Sequence, residues 1–256
     1  NMKKFYLTLN PHGGQQKGPR LLRQILPVFE AANVDLTIIE TTFAGHANEL
    51  AHQLDFDGYD GMIVIGGDGT MHEMVNGMLT RSDKKQLPIG LIPGGTGNSF
   101  MHDLELMNPV DAAKAIISGN TRQIDVAEVK INHVIKYAFN IIGWGLVTDV
   151  GNKAEKWRWL GEARYTLLSV FEVLKYKPRL ATLILDNDEI IDNFTFIIGC
   201  NTMYTGKGMK MAPKAKLDDG LMDIVVVRHG PSRLKLLTML PKVYDGTHIN
   251  SPILEY

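Results

Sequence analysis

The chain has 256 residues and is almost neutral, with 27 basic and 28 acidic residues, a formal net charge of -1 and 45% hydrophobic residues. This length and composition allow one large or two modest domains with real cores, and they exclude a disordered chain, a collagen-like fibre and a disulfide miniprotein. Because there is no net positive charge to attract a polyanion, we expect no nucleic-acid partner.

The cysteine count and the apolar runs indicate the compartment. Cys200 is the only cysteine, which excludes an internal disulfide and a cysteine-based zinc site and favours a reducing environment. No apolar run approaches the roughly 18 residues that a membrane-spanning helix needs. We therefore expect a cytoplasmic protein and leave open a peripheral contact with one face of a membrane.

The first half alternates apolar runs with amphipathic stretches. Four runs are typical of strands that are buried on both faces: Phe5–Leu9, Leu36–Ile39, Met62–Ile65 and Ile89–Ile92. Helical periodicity follows each of them, at Leu21–Ala31, His46–Leu54, Met71–Leu79 and Val110–Ile117. This alternation predicts an α/β domain with a parallel sheet and helices on both of its sides.

The pattern of apolar residues changes in the second half of the chain. Runs rich in β-branched residues predict strands at Val126–Ile131, Ile135–Ile141, Ala181–Leu185, Phe194–Gly199 and Met222–Val227. Helices are predicted at Lys153–Tyr176 and Arg233–Tyr244. We expect a mostly antiparallel β domain here, and we place the domain boundary near Arg122, which gives an α/β domain over 1–122 and a β domain over 123–256.

Three glycine-rich loops follow three strands of the first half. They are Asn10-Pro11-His12-Gly13-Gly14, Gly66-Gly67-Asp68-Gly69-Thr70 and Pro93-Gly94-Gly95-Thr96-Gly97-Asn98. Because the carboxyl ends of parallel strands share one edge of a sheet, we expect these loops to meet in a single crevice. Glycine lets backbone N–H groups approach an anion, so the predicted guest is a polyphosphate. The loops match neither the P-loop nor the dinucleotide fingerprint.

Asp68 lies between glycines in the middle of this predicted phosphate cradle. An unpaired carboxylate there would repel the ligand. It is tolerable only if it binds a metal ion or accepts a proton.

The three loops in this order, with Gly66-Gly-Asp-Gly-Thr-Met-His-Glu-Met-Val-Asn-Gly77 at their centre, resemble the catalytic domain of the diacylglycerol, sphingosine and ceramide lipid kinases. The resemblance continues in the second half, at Gly143–Asp149, Arg158–Tyr165 and Ala212–Asp223. It runs in order over nearly the whole chain. The Gly-Gly-Asp-Gly-Thr element alone is shared with the NAD kinases.

The resemblance implies a two-domain kinase that uses ATP and Mg²⁺ to phosphorylate a lipid hydroxyl, with a nucleotide-binding α/β domain followed by a lipid-binding β-sandwich domain. It implies that Asp68 is the catalytic base or positions Mg²⁺, that Asp149 contacts the lipid, and that Asp219 binds a structural Mg²⁺ with the backbone oxygens of Lys216 and Leu221. The implied nucleotide-binding residues are Asn10, Pro11, Gly13, Gly14, Lys17, Thr41, Gly66, Gly67, Gly69, Thr70, Thr96, Gly97, Asn98, Arg158 and Arg164.

Several of these assignments have a structural alternative. Arg158 and Arg164 equally fit exposed arginines of a helix, and Asp219 before Gly220 equally fits an ordinary turn. The apolar residues of the helix predicted over Lys153–Tyr176 fit a core helix as well as the lining of a lipid slot.

Departures from the family pattern narrow the range of lipid substrates. Ser99 stands where the bacterial diacylglycerol kinases have aspartate, which favours the sphingosine and ceramide branch. Gly151 stands where sphingosine kinases have a second acid, so Asp149 alone remains for a cationic head group. The acidic Asp-Gly-Glu element of the family is expected after Tyr256. An NAD kinase and a nucleotide-binding module with weakened catalysis stay open, as do the choice of lipid and a homodimer.

Overall fold

The computed structural model describes residues 2–11, 17–146, 172–173 and 175–256. These residues divide into two compact units, Asn1–Phe139 and Asn140–Tyr256. The helix predicted over Lys153–Tyr176 lies mostly outside the described residues. No helix of the described ranges is both long and apolar enough to cross a membrane.

The first unit contains the predicted parallel sheet. Its strands are β1 Lys4–Leu9, β2 Asp35–Glu40, β3 Gly61–Gly66 and β4 Ile89–Pro93, and they lie in the order β2-β1-β3-β4. The central strands β1 and β3 are almost wholly buried, as predicted. The prediction that Leu36–Ile39 is buried on both faces is wrong, because β2 lies at the edge of the sheet and leaves Ile38 41% exposed.

Helices connect these strands as the periodicity predicts. They are α1 Gly18–Ala31, α2 His46–Gln53, α3 Asp68–Leu79, α4 Ser99–Asp103 and α5 Pro109–Ser118. In α1 the buried side chains Leu21, Ile25 and Phe29 recur every four residues and form one apolar stripe. The short helix α4 was not predicted, because five residues carry no recognisable period.

A two-stranded hairpin completes the first unit. Its strands are β5 Ala127–Ile131 and β6 Val134–Ala138. The buried Asn76 of α3 holds β6 in place, since its amide donates to the Tyr137 carbonyl at 2.9 Å and its Oδ1 accepts from the Tyr137 N–H at 2.8 Å. This attachment explains why the unit extends to Phe139, later than the boundary predicted near Arg122.

The second unit contains the predicted antiparallel sheet. Its strands are β7 Ile141–Gly145, β8 Arg179–Leu185, β9 Asp188–Cys200 and β10 Asp223–Arg228. The long strand β9 pairs with β10 on one side and with β8 and β7 on the other. The run predicted as one strand over Ile135–Ile141 is divided between β6 and β7, so that prediction is wrong.

Short helices follow this sheet, namely α6 Arg233–Met239, α7 Lys242–Asp245 and the 3₁₀-helix Thr247–Asn250. The single helix predicted over Arg233–Tyr244 is interrupted before Pro241, because proline has no backbone N–H to continue the helix. The core of this unit contains residues from the sheet and from α6, including Ile198, Cys200, Val225, Val227 and Leu236.

A buried arginine joins two segments of the first unit. Arg81 is 6% exposed, and its Nη1 donates to three backbone carbonyls at the end of α2, those of Ala51, His52 and Leu54, at 2.9–3.0 Å. Its Nε and Nη2 donate to the two carboxylate oxygens of Asp83 at 2.8 and 2.6 Å. This guanidinium lowers the pKa of Asp83 to about 2, so the pair is charged at neutral pH.

We expect Arg81→Lys to lower the free energy of unfolding by about 2–3 kcal/mol, because an ammonium cannot donate to three carbonyls and bind a carboxylate with two parallel bonds. Urea denaturation at neutral pH measures the change. The control is Lys85→Gln, which removes an exposed 2.6 Å ion pair with Asp57 and is expected to leave stability close to that of the wild type. Equal losses in the two variants would contradict the role given to Arg81.

Candidate nucleotide site

The ends of three parallel strands meet at one small cavity of about 40 Å³. Asn10 follows β1, Gly66 and Gly67 lie at the end of β3, Thr70 lies in the first turn of α3, and Gly94 and Gly95 follow β4. Gly18, the first residue of α1, also lines it. The structure therefore brings the second and third glycine-rich loops together with Asn10, the first residue of the first loop.

Two of the loops touch through their backbones. A Cβ atom on Gly95 would lie 2.5 Å from the Cα atom of Gly67, and a Cβ atom on Gly67 would lie 2.9 Å from the Cα atom of Gly95. The N–H groups of Gly94 and Gly95 both donate to the Gly66 carbonyl, at 2.8 and 3.2 Å. Glycine is required at 67 and 95 because any side chain there would push the loops apart.

Gly69 is different. It is exposed in the first turn of α3, and a Cβ atom on it would meet nothing within 4 Å. Neither packing nor a positive φ accounts for glycine at this position. The space that its missing side chain leaves is open to a ligand.

Two helices begin at this cavity without a side-chain cap. The residues before α1 and α3 are Lys17 and Gly67, and neither helix has a side-chain hydrogen bond at its N-terminus in the described structure. By contrast, the side chain of Asn108 caps α5 and that of Ser232 caps α6. Because Pro19 has no N–H group, the groups that no described side chain caps are those of Gly18 and Arg20 in α1 and those of the first turn of α3, and such groups favour an anion.

Asp68 has a partner that the sequence analysis did not foresee. Its Oδ2 accepts hydrogen bonds from the Ser99 N–H at 2.8 Å and the Ser99 hydroxyl at 3.0 Å, and its Oδ1 accepts one from the Phe100 N–H at 3.1 Å. The carboxylate thereby caps α4. A carboxylate offers about four acceptor positions, so these three bonds leave about one position for another donor or a cation.

The side chains of Asn98 and Thr41 make hydrogen bonds to backbone groups next to the site. Asn98, at φ +49°, exchanges two 3.0 Å hydrogen bonds with the backbone N–H and carbonyl of Gly95. The buried Thr41 donates its hydroxyl to the Leu9 carbonyl at 3.3 Å. In this structure both contribute to the shape of the site, and their direct contact with a nucleotide stays a prediction.

The remaining predicted residues fall into two groups. Pro11 and Lys17 are partly buried at the two described ends of the first loop, and Thr96 and Gly97 lie on the third loop, with Thr96 exposed. Five predicted residues lie outside the described ranges: Gly13, Gly14, Asp149, Arg158 and Arg164.

The predicted Mg²⁺ ligands in the second unit form a turn. Asp219 Oδ1 accepts from the Leu221 N–H at 3.1 Å, and Gly220 between them has a φ of +73°. Asp219, Leu221 and Lys216 are all exposed. Within the described ranges no three or more His, Cys, Asp or Glu side chains cluster in a way that could hold a metal ion. The geometry favours the turn, and Mg²⁺ binding by these residues stays a prediction.

Sequence reasoning missed Asn76 of α3. Asn76 is a buried polar residue in an apolar stretch, which is a signal that it needs partners. His72 lies one turn earlier, and its Nδ1 is 3.5 Å from the Asn76 Nδ2. Burial and the nearby charge of Lys136 lower the pKa of His72, so this imidazole is neutral at neutral pH.

Alanine substitutions separate the two kinds of glycine. We expect Gly95→Ala to lower the free energy of unfolding by about 1–3 kcal/mol, because the methyl group forces the two loops apart. Gly69→Ala is the matched control, and it should leave stability unchanged or raise it by up to about 1 kcal/mol, since alanine suits a helix better than glycine. Thermal and urea unfolding measure both. A stable Gly95→Ala variant would contradict the close contact between the loops.

Comparison with known proteins agrees with this architecture. A family model described as "Diacylglycerol kinase catalytic domain" matches residues 4–129, and one described as "YegS C-terminal NAD kinase beta sandwich-like domain" matches residues 140–256. The predicted order of an α/β domain and a β-sandwich domain is thereby confirmed. The two matches together cover nearly the whole chain.

Individual relatives carry lipid-kinase names. The chain is 31% identical to sphingosine kinase 1 of Arabidopsis thaliana, over 99% of this chain and 62% of that protein, so it spans less than two thirds of the plant relative. It is 29% identical to the diacylglycerol kinase of Mycobacterium tuberculosis, over 96% of this chain and 80% of that one. A crystal structure of a diacylglycerol kinase from Bacillus anthracis matches with a TM-score of 0.71 at 26% identity, covering 100% of this chain and 80% of that one. The chain belongs to the diacylglycerol kinase catalytic-domain family of lipid kinases.

Proposed function

We propose that this chain is an ATP- and Mg²⁺-dependent kinase that transfers the γ-phosphoryl group to a hydroxyl of a sphingoid base, ceramide or diacylglycerol. The observation that carries the proposal is the cavity at which Asn10, the second and third glycine-rich loops and two uncapped helices meet, together with Asp68 as the first residue of one of those helices. The names of the relatives indicate a lipid as the acceptor.

The backbone supplies the phosphate site. The first N–H groups of α1 and α3 favour negative charge, and the open space at Gly69 lets a phosphate approach the backbone. Lys17, directly before α1, adds a positive charge at the same place. Phosphoryl transfer needs mainly alignment and charge neutralisation, which these groups provide for ATP.

Asp68 supplies the acceptor for the proton of the lipid hydroxyl. Its three hydrogen bonds from Ser99 and Phe100 fix the orientation of the carboxylate before any ligand arrives. The acceptor position that remains faces either the lipid hydroxyl or a hard cation, for which a carboxylate oxygen is a suitable ligand. Mg²⁺, when bound, neutralises charge on the transferred phosphoryl group.

Ser99 narrows the choice of lipid substrate. A serine there gives Asp68 a neutral hydroxyl donor, where an aspartate would give it a second negative charge. This residue and the similarity to the plant sphingosine kinase favour a sphingoid base or ceramide over diacylglycerol.

The test is a phosphorylation screen with γ-labelled ATP and Mg²⁺, in which sphingosine, ceramide, diacylglycerol and NAD are offered separately. We expect transfer to at least one of the lipids. Transfer to NAD alone would replace the proposal with an NAD kinase. ATP binding without transfer to any acceptor would indicate a nucleotide-binding module with weakened catalysis.

In the same screen, we expect Asp68→Asn to lower kcat by about 100-fold or more while ATP affinity changes little, because the amide cannot accept the proton. The matched control is Asp111→Asn, which changes the acid in the first turn of α5 as Asp68 is the acid in the first turn of α3. Thermal unfolding shows whether the contact with α4 survives. An unchanged kcat would remove Asp68 from the mechanism.

We also expect Gly69→Ala to weaken ATP binding by about tenfold, a loss of about 1.4 kcal/mol, because the methyl group fills the space that the phosphate needs. Isothermal titration calorimetry measures the affinity. Glu49→Ala, an exposed substitution on α2, serves as the control and should leave the affinity unchanged. Full ATP affinity in Gly69→Ala would mean that the open space is not part of the nucleotide site.

A further inference from the structure

The tip of the β5–β6 hairpin exposes apolar side chains. All residues from 130 to 136 are exposed, in the order Lys130-Ile131-Asn132-His133-Val134-Ile135-Lys136. Ile131, Val134 and Ile135 are 62%, 55% and 47% exposed. We refer to residues 130–136 as the hairpin tip. Three exposed β-branched side chains lie within five positions of one turn, and such clusters of exposed apolar residues mark surfaces that contact another molecule.

The geometry of the hairpin concentrates these residues. Ile131 and Val134 lie opposite each other across the turn, so both side chains are on the same face. Lys130 and Ile135 form the next opposed pair, on the other face. Both faces of the hairpin tip are therefore partly apolar. Such a turn can enter an apolar medium end-on.

Two lysines flank the apolar residues in sequence, Lys130 before them and Lys136 after them. The carboxylate nearest along β5 is Glu128, which forms an exposed 3.1 Å ion pair with Lys130. An apolar tip with a basic collar is complementary to an anionic phospholipid bilayer, since lysines can contact head-group phosphates while the apolar residues enter the interface.

The end of the hairpin that lies away from the tip contacts α3, the helix that begins with Asp68, and also α4. Both amide atoms of Asn76 bind the Tyr137 backbone, and the Phe139 ring lies edge-on to Phe100 with the centroids 5.4 Å apart. Asp68 is the first residue of that same helix, α3. A surface that binds the hairpin tip would therefore also set the position of α3 relative to that surface.

We propose that the hairpin tip docks this chain on a bilayer that contains anionic phospholipid, with Ile131, Val134 and Ile135 entering the interface and Lys130 and Lys136 contacting the head groups. The inference deepens the proposed function, because it names the surface through which a lipid kinase would reach its substrate. The binding itself requires neither ATP nor turnover.

A second exposed apolar set provides a matched control. Leu180 and Ile184 of β8 and Ile191 of β9 are 65–71% exposed on one face of the β8–β9 hairpin. Their cross-strand partners on that face are Asn193, Glu189 and Thr182, none of which is basic. Ile184 therefore matches Ile131 in residue type and exposure but lacks the basic surroundings.

The experiment is cosedimentation of the full chain with vesicles of phosphatidylserine and phosphatidylcholine in equal amounts, and with vesicles of phosphatidylcholine alone. We expect the wild type to prefer the anionic vesicles. Ile131→Glu should weaken this binding by about tenfold or more, because a charge replaces an exposed isoleucine that is proposed to enter the bilayer interface, whereas Ile184→Glu should leave it unchanged. Circular dichroism and thermal unfolding confirm that both variants are folded.

The charge contribution is tested separately. Lys136→Gln should weaken binding to the anionic vesicles by about fivefold and change binding to neutral vesicles little. Lys114→Gln, an exposed substitution on α5, should change neither. If the wild type does not bind anionic vesicles, if Ile131→Glu binds like the wild type, or if Ile184→Glu loses as much as Ile131→Glu, the proposal is wrong.

The two proposals fail in different ways. Binding through the hairpin tip without phosphorylation of any lipid, in vesicles or in neutral detergent, would overturn the kinase function and leave the docking surface standing. Lipid phosphorylation in neutral detergent together with vesicle binding that Ile131→Glu does not affect would overturn the docking surface and leave the kinase function standing. Such a result would assign the tip to another occupant, such as a second copy of the chain.

Discussion

The backbone contact between Gly67 and Gly95 is the constraint on which the candidate site depends. The loops that follow β3 and β4 can approach this closely only where both residues lack a Cβ atom. Their approach places the Gly66 carbonyl against two N–H groups of the third loop and presents the start of α4 to the start of α3. The glycines of the site are therefore not equivalent, since those at 67 and 95 serve packing and Gly69 leaves space.

The hydrogen bonds of Asp68 depend on the close approach of the two loops, and they also stabilise that approach. Its carboxylate caps α4, so the residue with the strongest claim to catalysis is also a structural contact between two helices. Orientation by backbone N–H groups costs no rearrangement when a substrate binds, which is how catalytic groups are usually held. In the proposed kinase the same arrangement links the stability of the loops to proton transfer, because a substitution at Asp68 is expected to affect both.

The predictable parts of the fold are those with a periodic signal. The central strands were found because burial on both faces makes them apolar throughout, and the same rule failed for β2, where one edge of the sheet has no neighbouring strand. The helix α4 carries no period, and its N-terminus is held by Asp68, 31 positions earlier in the chain. Glycine loops indicate where an anion can bind, but whether Asn98 and Thr41 face a ligand or a backbone carbonyl depends on tertiary partners that the sequence does not reveal.

The helix α3 connects Asp68 with the β5–β6 hairpin. Asp68 and Asn76 are eight residues apart on it, about 12 Å along its axis at 1.5 Å per residue. Asn76 is tolerated in this buried position because both of its amide atoms are paired, and leaving one unpaired costs about 1–3 kcal/mol. A helix of this length moves as a rigid element, so the hairpin attached at one end and the carboxylate at the other keep a fixed relation. For the proposed lipid kinase, this relation means that the depth of docking sets the distance between a lipid hydroxyl in the membrane and the carboxylate.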